Sequence, residues 1–337
     1  MQSNELLSGW QKMILWFLCI AVLFAFILLF ITGCGRPEPV YQPTYTILST
    51  CPLPGYAEDV EISGDYAYIA NGQAGLQIVD ISDPESTFIV GEFMTSKSAQ
   101  GVAIRDSLAF IATTSGNGLL VVNIQNPAAC SLLGSDPGYT EYKVFALPDT
   151  YYVYIAAFDF FIIENCSIPQ FPYYEQRVST PGDARGIFVD NSFAFIACEQ
   201  MGLYIYYAAR PDSEVYLVGS IDTPSNAQNV FVRGNIAYVA DGRGGLIIID
   251  ISNPVQPMIT GIYDTPEYAN NVYVLNDHAY VADGDGGIQI VDVSDPYDPV
   301  LYATIETSYA SDVVIHDDLV YVADRDLGLV VAREENP

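Results

Sequence analysis

From Ala57 onward the chain repeats itself with a period of about 42 residues, so it must fold as copies of one small unit. The register mark is an aromatic–β-branched–alanine triplet. It occurs at Tyr68-Ile69-Ala70, Phe110-Ile111-Ala112, Tyr154-Ile155-Ala156, Phe195-Ile196-Ala197, Tyr238-Val239-Ala240, Tyr280-Val281-Ala282 and Tyr321-Val322-Ala323. Repeats of this length, rich in β-branched and aromatic residues, predict the four-stranded blades of a β-propeller.

The fifth unit, residues 227–267, reads most clearly. Residues 228–233 form a short strand, Gly234-Asn235 a two-residue turn, and residues 236–240 a second strand. The glycines of Asp241-Gly242-Arg243-Gly244-Gly245 accept positive φ without steric cost and reverse the chain again. Residues 246–251 are almost wholly apolar, as expected of a strand buried on both faces. Pro254 stops that strand because it has no N–H to donate, and residues 258–263 supply the fourth. Nothing beyond Ala57 has the apolar stripe of an amphipathic helix. One such unit cannot bury its two apolar faces alone, whereas units stacked around an axis can.

The seventh unit ends at Glu334-Glu335-Asn336-Pro337 without a fourth strand. Residues 44–50, TYTILST, resemble the fourth-strand segment of the sixth unit, residues 301–307, LYATIET. The expected fold is therefore all-β: a seven-bladed propeller over residues 44–333, its last blade closed by the N-terminal strand, with residues 334–337 as a tail. The third unit, residues 141–183, departs most from the pattern. Its second hairpin reads Ala156-Ala157-Phe158-Asp159-Phe160 and has no glycine pair.

The run Gly75-Leu76-Gln77-Ile78-Val79-Asp80-Ile81-Ser82-Asp83-Pro84 resembles the signature of the LVIVD-repeat family. It returns at residues 245–254 and 287–296, and more weakly at 119–127 and 328–331. The resemblance spans roughly residues 45–333. It implies a β-propeller of exported or surface-attached bacterial and archaeal proteins, and it implies no activity and no shared catalytic residues.

Residues 13–32 carry no charge, follow Lys12 and end in Ile31-Thr32-Gly33-Cys34, which looks like a bacterial lipobox. Residues 1–33 are thus a signal peptide or a membrane anchor. Cleavage would leave Cys34 as the lipidated first residue. Pro37, Pro39 and Pro43 would stiffen a tether over residues 34–43, at roughly 3 Å per residue if extended like polyproline. About 20 apolar residues would also span a bilayer uncleaved, and ordinary signal cores are shorter. The positioned cysteine favours the lipoprotein, and both readings put the propeller outside the cytoplasm in the cell envelope. That compartment permits disulfides. Cys51, Cys130, Cys166 and Cys198 allow three pairings, of which Cys130–Cys166 joins neighbouring units; buried free thiols are the alternative.

The whole chain holds 12 basic and 41 acidic residues, a net charge of −29. Such a surface repels nucleic acid, whose binding needs clustered Lys and Arg, and disfavours anionic membrane faces. It would suit cations. The most suggestive loop is Asp283-Gly284-Asp285-Gly286-Gly287, since hard oxygen ligands bind Ca2+. Asp283, Asp285 and Asp312 are accordingly the weak metal candidates. Arg243 stands at the position of Asp285 in the fifth unit, however, and turn chemistry explains Asp and Gly there without a metal. No metal or other cofactor is otherwise indicated. Asp80, Asp83, Asp250, Asp292 and Asp295 are expected to cap turns through their side chains.

No nucleophile elbow, HExxH helix or phosphate-cradling loop occurs. Propellers in general meet ligands on the face made by the loops before each first strand and by the second-to-third turns. Carried over, that face comprises Tyr56, Tyr139, Tyr142, Arg185, Asn226, Asn229, Tyr268, Asn270, Tyr309 and Asp312. Tyrosines among asparagines suit protein or glycan contacts, although Tyr56, Tyr268 and Tyr309 could instead pack between blades. The expected function is a non-enzymatic binding or scaffold module for an extracytoplasmic protein or glycan. The alternative is a hydrolase or lyase using carboxylate- or Ca2+-assisted chemistry at the channel mouth.

Overall fold

The computed structural model describes residues 43–335, apart from 115, 117, 139, 191 and 213. The expected export segment, Cys34, the tether and Tyr139 lie outside the described residues. Seven antiparallel sheets follow one another along the chain. The first blade has strands Asp59–Ser63, Tyr66–Ala70, Leu76–Asp80 and Phe88–Phe93, and the second, fourth, fifth and sixth repeat this order. Almost no helix is present. The described residues hold one short 3-10 turn, Pro127–Ala129, and no helix long and apolar enough to cross a membrane.

The third blade keeps four strands by an unusual route. Its middle is one extended run, Tyr152–Asn165, that doubles back at Phe158, where φ is +35°. The Cys166 N–H donates to the Tyr151 carbonyl at 3.0 Å, as Ile81 does to Asp65 and Ile251 to Asn235 in regular blades. Pairing between the two halves therefore survives without the glycine pair.

The last blade is built from both ends of the described chain. Tyr45–Cys51 pairs antiparallel with Gly328–Glu334, placing Tyr45 opposite Glu334 and Cys51 opposite Leu329. Ring closure then follows from packing. Each of seven apolar clusters joins two neighbouring blades. One contains Cys51, Leu329 and Val331 of the last blade together with Val60, Ile69 and Val79 of the first. Each large aliphatic side chain buried there contributes about 1.5–3 kcal/mol.

Two further devices hold blades together. On one face, the backbone of Gly72, Glu199, Gly242 and Gly284 pairs with Ala99, Ala227, Ala269 and Ala310 of the next blade. At the rim, a Cβ on Gly91, Gly134, Gly219 or Gly261 would meet the carbonyl oxygen of Pro127, Pro169, Pro254 or Pro296 of the next blade at 2.3 Å or less. Four of the short proline-containing loops that join third to fourth strands thus require glycine opposite them. Within loops of this kind Asp80, Asp250 and Asp292 accept from the backbone of Ser82, Ser252 and Ser294 at 2.8–2.9 Å, and Asp83 and Asp295 accept from Glu85 and Tyr297. Their repetition has the capping role expected of it. The four described cysteines are all free thiols, so the Cys130–Cys166 bridge is absent. The two thiols lie in different inter-blade clusters.

Candidate functional site

The first strand of every blade lines the central channel, and alternation along it points every second residue at the axis. Asp59, Gly101, Lys143, Gly186, Asn229, Asn271 and Asp312 occupy one level, one per blade. The five with polar side chains form one hydrogen-bonded layer. The Val60 N–H donates to Asp312 at 3.0 Å and the Val102 N–H to Asp59 at 2.8 Å, so each carboxylate ties its own blade to the next. Asn229 donates to Asn271 at 2.6 Å, and Asn271 in turn donates to Asp312.

Lys143 crosses the axis from the third blade. Its Nζ meets Asp59 Oδ1 at 2.5 Å and Asp312 Oδ2 at 3.2 Å. Gly101 and Gly186 flank it, and a side chain at either would strike the next first strand, Lys143 in the one case and Asn229 in the other. Burial pushes the Asp59 carboxyl well above the usual range, and the neighbouring Asp312 reinforces this against the pull of Lys143. Burial would raise Asp312 too, but the Lys143 ammonium and bonds from Asp59, Val60 and Val313 outweigh it and hold that group low. Lys143 itself is raised, because the two carboxylates overcome its desolvation.

On the side of the inter-blade bridges lies a polar vestibule of about 130 Å³. The residue before each ring position lines it: Glu58, Gln100, Tyr142, Arg185, Gln228, Asn270 and Ser311. Arg185 lies 4.1 Å from the Tyr142 ring centre and pairs with Glu199 at 2.5 Å. Arg325 lies 4.5 Å from the Tyr309 ring centre and pairs with Glu58 at 3.1 Å. Glu199 holds φ of +42° where three other blades have glycine, a conformation costing about 1–3 kcal/mol for such a residue.

On the opposite side the next inward level bounds a cavity of about 330 Å³. Here stand Glu61, Ala103, Phe145, Phe188, Phe231, Tyr273 and Val314. The four aromatic rings run in sequence with centroids 5.2, 5.3 and 5.0 Å apart. Burial raises the Glu61 carboxyl to about 7; Lys143 opposes this and Asp312 adds to it.

Of the face expected from the sequence, Tyr142, Arg185 and Asn270 line the vestibule, and Tyr309 reaches its rim through Arg325. Asn226 is half-buried and Tyr56 is 61 % exposed. The rings of Tyr268 and Tyr309 rest against Gly242 and Gly284 of the preceding blade. Asn229 and Asp312 are only 7 % and 3 % exposed and belong to the sealed layer. The three metal candidates do not converge. Asp283 is buried and accepts from the Thr265 hydroxyl at 2.6 Å and the Glu267 N–H at 2.9 Å, stapling a loop as Asp241 does with Thr223 and Ser225. Asp285 is exposed on the turn. No group of three His, Cys, Asp or Glu among the described residues is placed to hold a metal ion.

The sequence reading missed Lys143, Glu61 and the aromatic level. Counting in twos from each repeat's alanine would have aligned them, but not told which side of the strand faces the axis.

A family model described as LVIVD repeat matches residues 54–95, 96–136, 181–206, 224–265, 266–307 and 308–332. The unmatched stretch before residue 181 contains the irregular third blade. No curated protein matches the chain. Among solved structures, the computationally designed Ika8 protein superimposes with a TM-score of 0.61 at 9 % identity, covering 86 % of this chain and 99 % of that one. At that identity the likeness is one of fold alone.

Proposed function

The chain belongs to the LVIVD repeat family, and from that premise we propose that it is a non-enzymatic binding module, presenting its vestibule to a protein or glycan outside the cytoplasm. Lipid on Cys34, or residues 13–32 as an uncleaved helix, would tether it to the membrane. The observation that carries this reading is the vestibule: every blade contributes one side chain that hydrogen-bonds or carries an amphipathic ring, above a floor sealed by Lys143. A tyrosine with an arginine over its ring is the kind of pair from which hot spots are made. The strained Glu199 backbone adds to this, since it keeps Arg185 in place at a conformational cost.

The competing reading, carboxylate-assisted hydrolysis or elimination, would draw on the paired Asp59 and Asp312. Lys143 bridges both, which leaves neither free to exchange a proton with a substrate.

Immobilised protein challenged with an envelope extract and a glycan panel tests the proposal. Capture should fall at least tenfold when Arg185→Ala and Asn270→Ala are combined; undiminished capture refutes the vestibule as the contact surface. Mass spectrometry of the mature N-terminus tests the tether. A lipidated Cys34 peptide supports processing, and an intact Met1 peptide supports the anchor.

A further inference from the structure

The cavity on the far side of the Lys143 layer has a makeup unlike the vestibule. About 330 Å³ lies at the lower end of the range of small-molecule pockets. Four half-buried rings from four consecutive blades, Phe145, Phe188, Phe231 and Tyr273, form an unbroken π wall inclined at 52–54° from ring to ring. Glu61 stands on the same level in the first blade, with small Ala103 and Val314 leaving the space beside it open.

Glu61 has no ion-pair partner among the described residues. The nearby Lys143 is committed to Asp59 and Asp312. A carboxyl that borders this wall without an ion pair favours a cation as guest, since a cation beside it stabilises its ionised form. Aromatic faces carry negative potential and attract the same cation. An anion would be repelled by the ionised Glu61, and a neutral apolar guest would gain nothing from it. The net charge of −29 further concentrates cations near the mouth.

We propose that this cavity binds a small alkylated ammonium ion, with the four rings facing its methyl groups and Glu61 balancing its charge. His316, with a side chain 37 % exposed, marks the end through which it enters.

Calorimetry on the full chain in detergent, with choline as the probe and 3,3-dimethylbutan-1-ol as its uncharged isostere, tests this. Choline should bind saturably, and the isostere at least about tenfold more weakly, since a desolvated cation–π contact with a counter-charge is worth about one decade or more. Glu61→Gln should cost choline about tenfold and leave the isostere unaffected, and Phe231→Leu should weaken choline severalfold. Equal affinity for the two probes, or no saturable choline binding at millimolar concentration, overturns the proposal. That comparison uses the unaltered protein and decides the matter even if a variant fails to fold.

Discussion

The hydroxyl of Ser49 donates to the carbonyl oxygen of Pro84 at 2.7 Å, tying the strand that completes the last blade to the first blade. Ser49 lies opposite Val331 as Gly91 lies opposite Ile78, so it occupies the rim position held by glycine in the first, second, fourth and fifth blades. Where those blades meet by close approach of backbone, the seam meets through a hydrogen bond. Ser49→Ala should therefore lower stability by about 1 kcal/mol, the typical worth of one such bond. Gly261→Ala should cost more, about 1–3 kcal/mol, because its Cβ would lie 2.3 Å from the Pro296 oxygen. Urea denaturation midpoints at constant slope measure both.

Lys143→Met should destabilise by about 3–5 kcal/mol, because it leaves two buried carboxylates facing each other without a cation. Adding Asp59→Asn and Asp312→Asn to the same protein should recover most of that loss. Asp312, whose folded-state carboxyl is held low, contributes stability above the ordinary carboxylate range of about 3.9 and loses it as pH falls below that. Removing Lys143 should consequently flatten the acid limb of the stability curve, which thermal melts across pH would show.

Glu61 has the opposite sign. Its folded-state carboxyl is raised to about 7 by burial, so its contribution is full below the ordinary glutamate value of about 4.3 and is lost as pH rises to 7. Lys143, Asp59 and Asp312 above it, Tyr273 beside it and His316 at the rim are the other titratable groups lining the cavity or its roof. Against wild type, Glu61→Gln should gain melting temperature between pH 5 and pH 8. An unchanged difference over that window would show that the carboxyl titrates normally.

The thiols should be inert. Burial pushes Cys166 and Cys198 up to about 12, so little thiolate exists at neutral pH. In the folded protein a maleimide should react at the half-buried Cys130 first, and after unfolding Cys51, Cys130, Cys166 and Cys198 should all label without prior reduction. Protection of Cys130 and Cys166 until a reductant is added would mean that they are bridged.

The repeat made the ring legible. Triplet spacing gave seven blades, and the likeness between residues 44–50 and 301–307 located the closing strand, because both rest on local alternation and turn chemistry. The site was less legible. Tyr142, Arg185 and Asn270 could be placed by their offset from each repeat's alanine, yet Lys143 and Asp312 are 169 residues apart and nothing local to either announces the other. Glu141 is a departure that the sequence exposes without explaining. It stands where Ala57, Ala99, Ala184, Ala227, Ala269 and Ala310 stand in the other blades, fully buried, with neither carboxyl oxygen hydrogen-bonded among the described residues. Burial, with Glu164 and Asp136 nearby, drives its carboxyl well above the usual range. The third unit thus carries a carboxyl in its interior, and periodicity reports that only as a mismatch.

The bar that Lys143 lays across the axis makes this disc a pair of back-to-back sockets and denies it the role of a conduit. A guest seated at one end would have to displace that bar to reach the other. Whatever the two ends receive, they can be filled, emptied or blocked one at a time.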